Sequence, residues 1–168
     1  MPTSAATPPP KPRPGGLDKP LTLKIIKAMS RLHTGLYRAS GGRVGKKWHV
    51  GSAVRKGVPV CLLTTTGRKS GQPRTAPLLY MTEGERVILV ASQGGLPTNP
   101  MWYLNLQENP LVEVRIGRRA RPMRARTADA SERAVLWPEL VELYADFASY
   151  ATWTDREIPV VICDPIHL

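Results

Sequence analysis

Six short apolar segments, rich in β-branched residues and bounded by turn residues, most constrain the fold of this chain. In "LVEVRIG", Val112, Val114 and Ile116 alternate with Leu, Glu and Arg, which is the period of a half-buried strand. The segment "TEGE" and residues 117–118 predict two hairpin turns. The six predicted strands are "GVPVCLLTTT", "PRTAPLLYM", "RVILVASQ", "LVEVRIG", "ARPMRART" and "EIPVVICDP".

Two helices are predicted to interrupt these strands. "NPMWYLNLQENP" has Asn99 as a candidate N-cap and Pro100 at the first helical position. "DASERAVLWPELVELYADFASY" has Asp129 or Ser131 as its cap, and Pro138 is expected to kink or split it. A chain of 168 residues suits one domain. The pattern therefore predicts a small closed or partly closed antiparallel barrel with inserted helices.

The net charge of +11 is confined to one part of the chain. Residues 1–56 carry twelve Lys and Arg against one acid, whereas residues 57–168 carry twelve of each sign. We expect a Pro-rich disordered or extended tail at 1–20, a basic amphipathic helix at 21–48 and the barrel domain at 49–168.

The predicted helix carries an apolar stripe formed by Ile25, Met29, Leu32 and Leu36. Such a basic helix suits an anionic membrane surface, and packing on its own domain with solvated cations is an equal alternative. Nucleic-acid binding ranks third because no aromatic or Asn/Gln set that could contact bases accompanies the charge.

Several other classes of protein are disfavoured. Cys61 and Cys163 lie far apart in apolar runs, so we expect reduced, buried thiols and a cytoplasmic location. No run of eighteen apolar residues and no secretory signal core is found. The three histidines lack metal-ligand spacing, and no nucleophile motif is present. If the protein is an enzyme, a cofactor is expected to carry the chemistry.

The loop "TGRKSGQPR" between the first two predicted strands is basic. Its Gly and Ser70 would let backbone N–H groups converge on an anion, and Arg68, Lys69 and Arg74 would add charge. A phosphate with carboxylates is the expected ligand. The alternative is a solvated hairpin loop, and the P-loop order of residues is absent.

Two further clusters accompany the basic loop. Residues 92–95 lead into the helix of Trp102 and would allow close approach of a flat ligand, or they form an ordinary glycine turn. Tyr144, Phe147 and Tyr150 are spaced by three on the long helix. They either wall a pocket for a planar substrate or belong to the core. The polarity of "YADFASY" favours the pocket.

Three segments together resemble the deazaflavin-dependent nitroreductase family, over about residues 50–165. They are "LLTTTGRKSGQPRTAPLLY", "ASQGG" followed by "PTNPMWYLNLQENP", and "WPELVELYADFASYATWTDREIPVVICDP". The family uses reduced coenzyme F420 and occurs chiefly in mycobacteria and related actinobacteria. The resemblance implies a mainly β (α+β) split β-barrel of about six antiparallel strands, flavin-reductase-like, with inserted helices and a basic N-terminal helix.

The resemblance also implies a set of site residues. Arg68, Lys69 and Arg74 would meet the acidic part of coenzyme F420, and its ring would lie over residues 92–95. Ser92 and Tyr144 are the candidate catalytic hydrogen-bond donors, and Tyr144, Phe147 and Tyr150 are the candidate substrate wall. The residues implied to bind the cofactor are Thr64, Arg68, Lys69, Ser70, Arg74, Thr75, Ala76, Pro77, Ser92, Gln93, Gly94, Gly95, Met101 and Trp102. Two positions depart from the family, Gln93, where Lys is common, and Phe147, where Tyr is often found.

The function implied is hydride transfer from F420H2 to a menaquinone-like quinone or a nitroaromatic compound. We expect a monomer that binds no nucleic acid and rests on the inner face of the cell membrane through its N-terminal helix. The alternatives are a split-barrel carrier of FMN or another cofactor, and a non-catalytic membrane-surface module.

Overall fold

The strands form one curled antiparallel sheet in the computed structural model, which describes residues 9–167. Within these residues the strands are β1 (Lys47–Trp48), β2 (Val58–Thr66), β3 (Pro73–Leu79), β4 (Met81–Glu83), β5 (Arg86–Val90), β6 (Leu111–Ile116), β7 (Arg119–Thr127) and β8 (Val160–Pro165).

The strand pairings close into a ring. The order β2-β6-β7-β8-β5-β4 is continuous, and β3 pairs with β2. Because only Tyr80 separates β3 from β4, these are two halves of one bent strand, which pairs with β2 at one end and with β5 at the other. The predicted barrel of about six antiparallel strands is confirmed.

Two details of the strand predictions were wrong. The segment 73–81 is interrupted at Tyr80 instead of forming one strand. In "TEGE", Thr82 and Glu83 pair with Val87 and Arg86, so the turn is only two residues long. Gly84 has a φ of +59°, which glycine adopts without steric cost.

The central strands are buried on both faces, which explains their continuous apolar sequences. In β2, Cys61 and Leu63 face the barrel interior, whereas Val60 and Leu62 face outward and are covered. Both cysteines are free and fully buried, as predicted, and burial raises the pKa of Cys163 to about 12.

The helices are α1 (Pro20–Ala39), α2 (Met101–Glu108), α3 (Ala130–Leu143) and α4 (Asp146–Thr152). The predicted cap of α2 was wrong by one residue, since Pro100 is the N-cap and the side chain of Asn99 accepts a hydrogen bond from Arg156. Of the two caps proposed for α3, Asp129 is the one used, in a capping box with Glu132.

Of the two effects predicted for Pro138, a kink or a split, the split does not occur. The helix continues through it, and the break comes at residues 144–145. The carbonyl that Pro138 leaves without a helical partner is that of Ala134, an exposed residue, so water can satisfy it.

Only the C-terminal end of α1 is firmly packed on the barrel. Tyr37 is buried against Val60 and Leu62, and its hydroxyl accepts a hydrogen bond from the Gly117 amide at 2.8 Å. The helix ends at Ala39, where Gly41 and Gly42 adopt positive φ as the predicted stop signals.

The apolar stripe of α1 is exposed and does not pack on the barrel. Met29 and Leu32 are 66% and 64% exposed, and Ile25 and Leu36 are about half exposed. Within residues 9–167, no helix combines the length and the apolar character needed to cross a membrane.

The predicted tail is described only in part, because residues 1–8 lie outside the described residues. Residues 9–19 contain no helix or strand, but Lys11 is fixed against α4. Its amide donates to Ser149 Oγ at 2.9 Å, its carbonyl accepts from Trp153 Nε1 at 2.7 Å, and its ammonium lies 2.8 Å from Asp146 Oδ1.

Candidate active site

The basic loop, residues 66–74, and the glycine turn that follows β5 lie at the same end of the barrel. Along the ring from β2 to β5 every neighbouring pair is antiparallel, and four pairings separate the two strands. β2 and β5 therefore run in the same direction, so the segments that follow them meet at one barrel end.

The backbone of the basic loop leaves two amides for the predicted anion-binding concavity, those of Lys69 and Ser70, which find no acceptor among the described residues. The Gly67 amide donates to the Gln72 carbonyl at 2.8 Å, and the Gly71 amide donates to the Gly67 carbonyl at 2.7 Å. The Arg68 amide donates to Asn105 Oδ1, and the Gln72 amide donates to Ser70 Oγ. Four of the six amides of residues 67–72 are thus paired within the protein, so the side chains are expected to supply most of the attraction for an anion.

The cations of the basic loop are available to a ligand. Arg68, Lys69 and Arg74 are exposed, and in the part of the chain that the structure describes none of them forms an ion pair. Arg74 Nη2 lies 3.4 Å from Ser70 Oγ, and Arg68 Nη1 lies 3.9 Å from Met101 Sδ. Ser70 and Met101 are thus the nearest polar partners of the two guanidinium groups.

Asn105 on α2 holds the basic loop in place, and the sequence analysis missed it. Its buried amide accepts from the Arg68 N–H at 3.1 Å and donates to Thr65 Oγ1 at 3.1 Å. The available signal was a polar residue on the same helix face as Trp102 and Leu106, where only a paired polar group is tolerated.

The strand residues implied to bind the cofactor do not share one face of the sheet. Thr64 and Thr75 are paired across β2 and β3, with their hydroxyl oxygens 2.8 Å apart, on the face toward α1. Pro77 is on that face too, but Ala76 pairs with Leu63 and packs against the barrel interior. The guanidinium of Arg38, on α1, donates to Thr75 Oγ1 at 2.8 Å, a contact the sequence did not reveal.

The glycine turn consists of Ser92 followed by the 3₁₀ turn Gln93–Gly95. All three turn residues have positive φ, of 45°, 61° and 74°, and Gln93 is the only non-glycine residue with positive φ in the described part of the chain. A Cβ added to Gly94 would meet no atom within 4 Å, whereas one added to Gly95 would lie 2.9 Å from the Tyr150 carbonyl oxygen. The turn is therefore open on one side and packed against α4 on the other.

Arg156 fixes the glycine turn from behind, and it is a second residue that the sequence analysis missed. Its guanidinium donates to the carbonyls of Ser92, Ala91 and Leu96 at 2.8, 3.2 and 3.0 Å and to Asn99 Oδ1 at 2.8 Å. Burial lowers its pKa from the ordinary arginine value. Nothing in its local sequence distinguishes it from other solvated arginines.

Met101 and Trp102, both implied to lie near the ring, differ in accessibility. Met101 is 59% exposed beside Arg68, whereas the Trp102 ring is buried in the core cluster of the barrel interior, edge-on to Tyr103. The structure brings Met101 to the open side of the site and leaves Trp102 mainly as support.

The predicted aromatic wall is assembled as one cluster. The ring centroid of Tyr144 lies 5.0 Å from that of Phe147 and 6.2 Å from that of Tyr150. The ring centroids of Tyr150 and Trp153 are 5.2 Å apart. Tyr144 and Phe147 are buried in the core cluster that contains α3 residues, whereas Tyr150 is only partly buried. Tyr150 is therefore the least buried of the three predicted wall residues, and its backbone packs against Gly95 of the glycine turn.

The polarity of α4 does not by itself indicate a pocket, contrary to the argument from sequence. Asp146 is paired with Lys11 and accepts a hydrogen bond from the Ser52 amide at 3.0 Å, and Ser149 accepts from the Lys11 amide. These polar groups attach the residue 9–14 segment and the residue 51–53 turn to α4.

The Tyr144 hydroxyl lies in a crowded, buried position. It is 3.3 Å from the Tyr150 hydroxyl, and a Cβ on Gly51 would approach it to 2.8 Å. Burial raises the pKa of Tyr144, with a further increase from the neighbouring Tyr150 hydroxyl, so the phenol stays protonated at neutral pH. A protonated phenol can donate a hydrogen bond.

Comparisons with known proteins agree on one family. A family model described as F420H(2)-dependent quinone reductase matches residues 29–165. A Mycobacterium tuberculosis protein named as a candidate F420H(2)-dependent quinone reductase is 50% identical over 116 residues, covering 69% of this chain and 98% of its own length. Another protein of that organism, named F420H(2)-dependent quinone reductase, is 38% identical over 138 residues, covering 79% and 87%.

Two solved structures are similar to this chain in both fold and sequence. One described as an F420-H2 dependent reductase superposes with a TM-score of 0.59 at 44% identity, covering 63% of this chain and 94% of its own. One described as a domain-swapped dimer superposes with a TM-score of 0.62 at 34% identity, covering 86% and 96%.

Proposed function

Because this chain belongs to the F420H(2)-dependent quinone reductase family, and is therefore an oxidoreductase that uses reduced coenzyme F420, we propose that it transfers a hydride to a quinone of the menaquinone type. The proposal rests mainly on one observation. Arg68, Lys69 and Arg74, which form no ion pair with a described residue, lie at the same end of the barrel as the open glycine turn.

The residues present fit this cofactor. Coenzyme F420 has a flat deazaflavin ring and a tail of phosphate and glutamates. Arg68, Lys69 and Arg74 are exposed cations that can bind the phosphate and carboxylates. The empty space beside Gly94 allows the ring to lie against backbone, and Met101 borders the way from the ring to the basic loop.

When bound, the reduced cofactor supplies a hydride, and the protein positions the acceptor and its proton. Arg156 keeps the glycine turn rigid, so the distance between donor and acceptor is set before the acceptor binds. Ser92 is the proposed direct donor to the oxygen that gains negative charge, and Tyr144 is proposed to act on it through Tyr150. Because Tyr144 is 4% exposed and its hydroxyl lies 3.3 Å from that of Tyr150, a less buried residue, we propose that Tyr144 acts by orienting the Tyr150 hydroxyl.

A quinone acceptor is proposed over a nitroaromatic one because the matching family model and the similar mycobacterial proteins are named for quinone reduction.

Titration of the full chain with F420, followed by fluorescence, tests this proposal, with FMN titrated in parallel. Oxidation of F420H2 is then recorded with menadione, and with a nitroaromatic compound as a second acceptor. The proposal expects F420 binding and faster oxidation with menadione. Preferential FMN binding would instead support a carrier of another cofactor, and F420 binding without turnover would refute a reductase.

We further propose that α1 holds the protein on the inner face of the cell membrane, where a menaquinone-type acceptor is dissolved. Support comes from the exposed stripe of Met29 and Leu32, and from the cations Lys24, Lys27 and Arg31 around it. Each cation near an anionic surface is worth about 1 kcal/mol.

The membrane proposal is tested with point variants, because deleting α1 would also uncover Val60 and Leu62 beneath Tyr37. The full chain is expected to sediment with phosphatidylglycerol vesicles and not with phosphatidylcholine vesicles. A Met29→Ser/Leu32→Ser variant should remain in the supernatant. Equal sedimentation of this variant and the parent chain would show that α1 is not the anchor.

A further inference from the structure

A cation from α1 reaches the candidate cofactor site, in addition to the three on the basic loop. Arg38 Nη2 donates to Thr75 Oγ1 at 2.8 Å, and Thr75 is in turn hydrogen-bonded to Thr64 at 2.8 Å. Thr75 follows Arg74 on β3 but points to the opposite face of the strand, so Arg38 adds a cation on the outer face of the barrel near the end where the basic loop lies.

The position of Arg38 is fixed by the residues around it. The preceding residue, Tyr37, is fully buried, and its hydroxyl is bound by the Gly117 amide. Gly42 approaches so closely that an added Cβ would lie 2.6 Å from Gly117 Cα. Because Tyr37 and Gly42 both contact Gly117, the backbone at the end of α1 is fixed, and with it the position of the Arg38 Cα above β3.

Arg38 has capacity left for a ligand. A guanidinium has five N–H donors, and the contact with Thr75 uses one of them. The acidic residue beside Thr64 on the next strand is Glu113, whose nearest basic partner is Arg115 at 4.0 Å. Among the described residues, no carboxylate forms an ion pair with Arg38.

We propose that Arg38 binds the phosphate-and-carboxylate part of coenzyme F420, so that α1 completes the site that the barrel begins. This inference rests on the proposed function, since it needs F420 as the ligand. It has a consequence for α1, because a helix that contributes a cofactor contact is itself stabilised on the barrel when the cofactor binds, and the two events favour one another.

The test compares Arg38→Gln and Arg38→Lys with Arg31→Gln in the full chain. Arg31 is an exposed arginine two turns earlier on α1, so its loss changes the net charge equally. Two probes are titrated by fluorescence without lipid, namely F420 and the deazaflavin riboside that lacks the phosphate and tail. Melting temperatures of all variants are recorded.

Arg38→Gln is expected to weaken F420 binding about tenfold, as for loss of one charge-assisted hydrogen bond. Arg38→Lys should lose less, because it keeps the charge without the planar fork. Arg31→Gln should change F420 affinity by less than about twofold, and riboside affinity should be the same in every variant.

Two results would overturn the inference. Unchanged F420 affinity in Arg38→Gln would show that the side chain makes no contact, and equal weakening of F420 and riboside would show a purely structural role. If Arg74→Ala weakens F420 binding while Arg38→Gln does not, only this inference falls. If the parent chain does not bind F420, the proposed function falls with it.

Discussion

The basic loop and helix α4 lie at the same end of the barrel, but their polar groups have different partners. The loop has four of the six amides of residues 67–72 paired within the protein and leaves Arg68, Lys69 and Arg74 exposed, without an ion pair to any described residue. In α4 the charged and hydroxyl groups are paired within the protein, and Tyr144 and Phe147 are buried.

This difference assigns ligand binding to the basic loop and stabilisation of the fold to α4. An exposed cation contributes little to folding, because water solvates it equally in both states, so it can be used for a ligand. A buried aromatic ring contributes its packing to stability whether or not a ligand is present. Substitutions in the loop should therefore change affinity, and substitutions in α4 should change stability first.

The largest effect is expected for Phe147→Ala. The ring is 4% exposed and packs against Tyr144 at 5.0 Å, so its loss leaves a cavity and should cost about 3–5 kcal/mol of unfolding free energy. Urea unfolding measures this loss, with Phe147→Leu as a milder control. If Phe147→Ala had normal stability and altered acceptor kinetics, the comparison would be wrong, because Phe147 would then line the acceptor site and not belong to the core.

The next effect is expected for Arg74→Ala. Loss of a charge-assisted contact of about 1.5–3 kcal/mol should weaken F420 binding by one to two decades while leaving the melting temperature nearly unchanged. Arg121→Ala, at an exposed arginine on β7 near the opposite end of the barrel, is the matched control. Unchanged affinity of Arg74→Ala at low salt would remove the loop from the site.

The parts that sequence predicted well depend on local patterns. The alternation in β6 and the apolar run of β2 place strands because each strand presents its faces with a period of two. The basic loop could be predicted as a binding site because its cations are exposed, so their role does not depend on a partner elsewhere in the chain. The resemblance to the family supplied the cofactor, which no local pattern specified.

The parts that sequence did not predict depend on distant contacts. Arg156 reaches back 65 positions to Ala91, and Asn105 contacts Arg68 and Thr65, which are 37 and 40 positions away. The polarity of α4 was assigned to a pocket because its partners, Lys11 and Ser52, are remote in sequence. The pairing of a polar side chain is decided by the tertiary structure, so its role cannot be derived from its own element.

A smaller effect is expected for Tyr144→Phe, which removes only the hydroxyl 3.3 Å from Tyr150. The hydrogen bond is neutral and long, so stability should change by less than about 1 kcal/mol. Menadione turnover should fall about tenfold, or about 1.4 kcal/mol, with F420 affinity constant, because the Tyr150 donor is no longer oriented. Tyr150→Phe is the companion variant, and normal turnover in both would exclude the pair from the chemistry.

The smallest effect is expected on stability, for Lys11, which is attached to α4, compared with Lys69 of the basic loop. Lys11 is paired with Asp146, whereas Lys69 is exposed without an ion pair in the described chain. Burial alone would raise the pKa of Asp146, but the Lys11 ammonium and the Ser52 amide outweigh it, and the pKa lies below its usual value. Ionised Asp146 therefore stabilises the fold above the usual aspartate pKa of about 3.9, and this stability is lost as the pH falls through the lower folded value.

Lys11→Ala should raise the pKa of Asp146, because burial remains and the ammonium is removed. The variant should be less stable at pH 7 by about 0.5–1 kcal/mol, a modest value because the Lys11 side chain is 57% exposed. The difference from the parent chain should shrink as the pH falls below about 4 and through the lowered pKa of Asp146, because both proteins then protonate this carboxylate. Urea unfolding between pH 7 and pH 3 measures it, and Lys69→Ala should follow the parent chain throughout. If Lys11→Ala also follows the parent chain, the ion pair contributes nothing, and the residue 9–14 segment is held to α4 only by the two backbone hydrogen bonds of Lys11, which this substitution leaves in place.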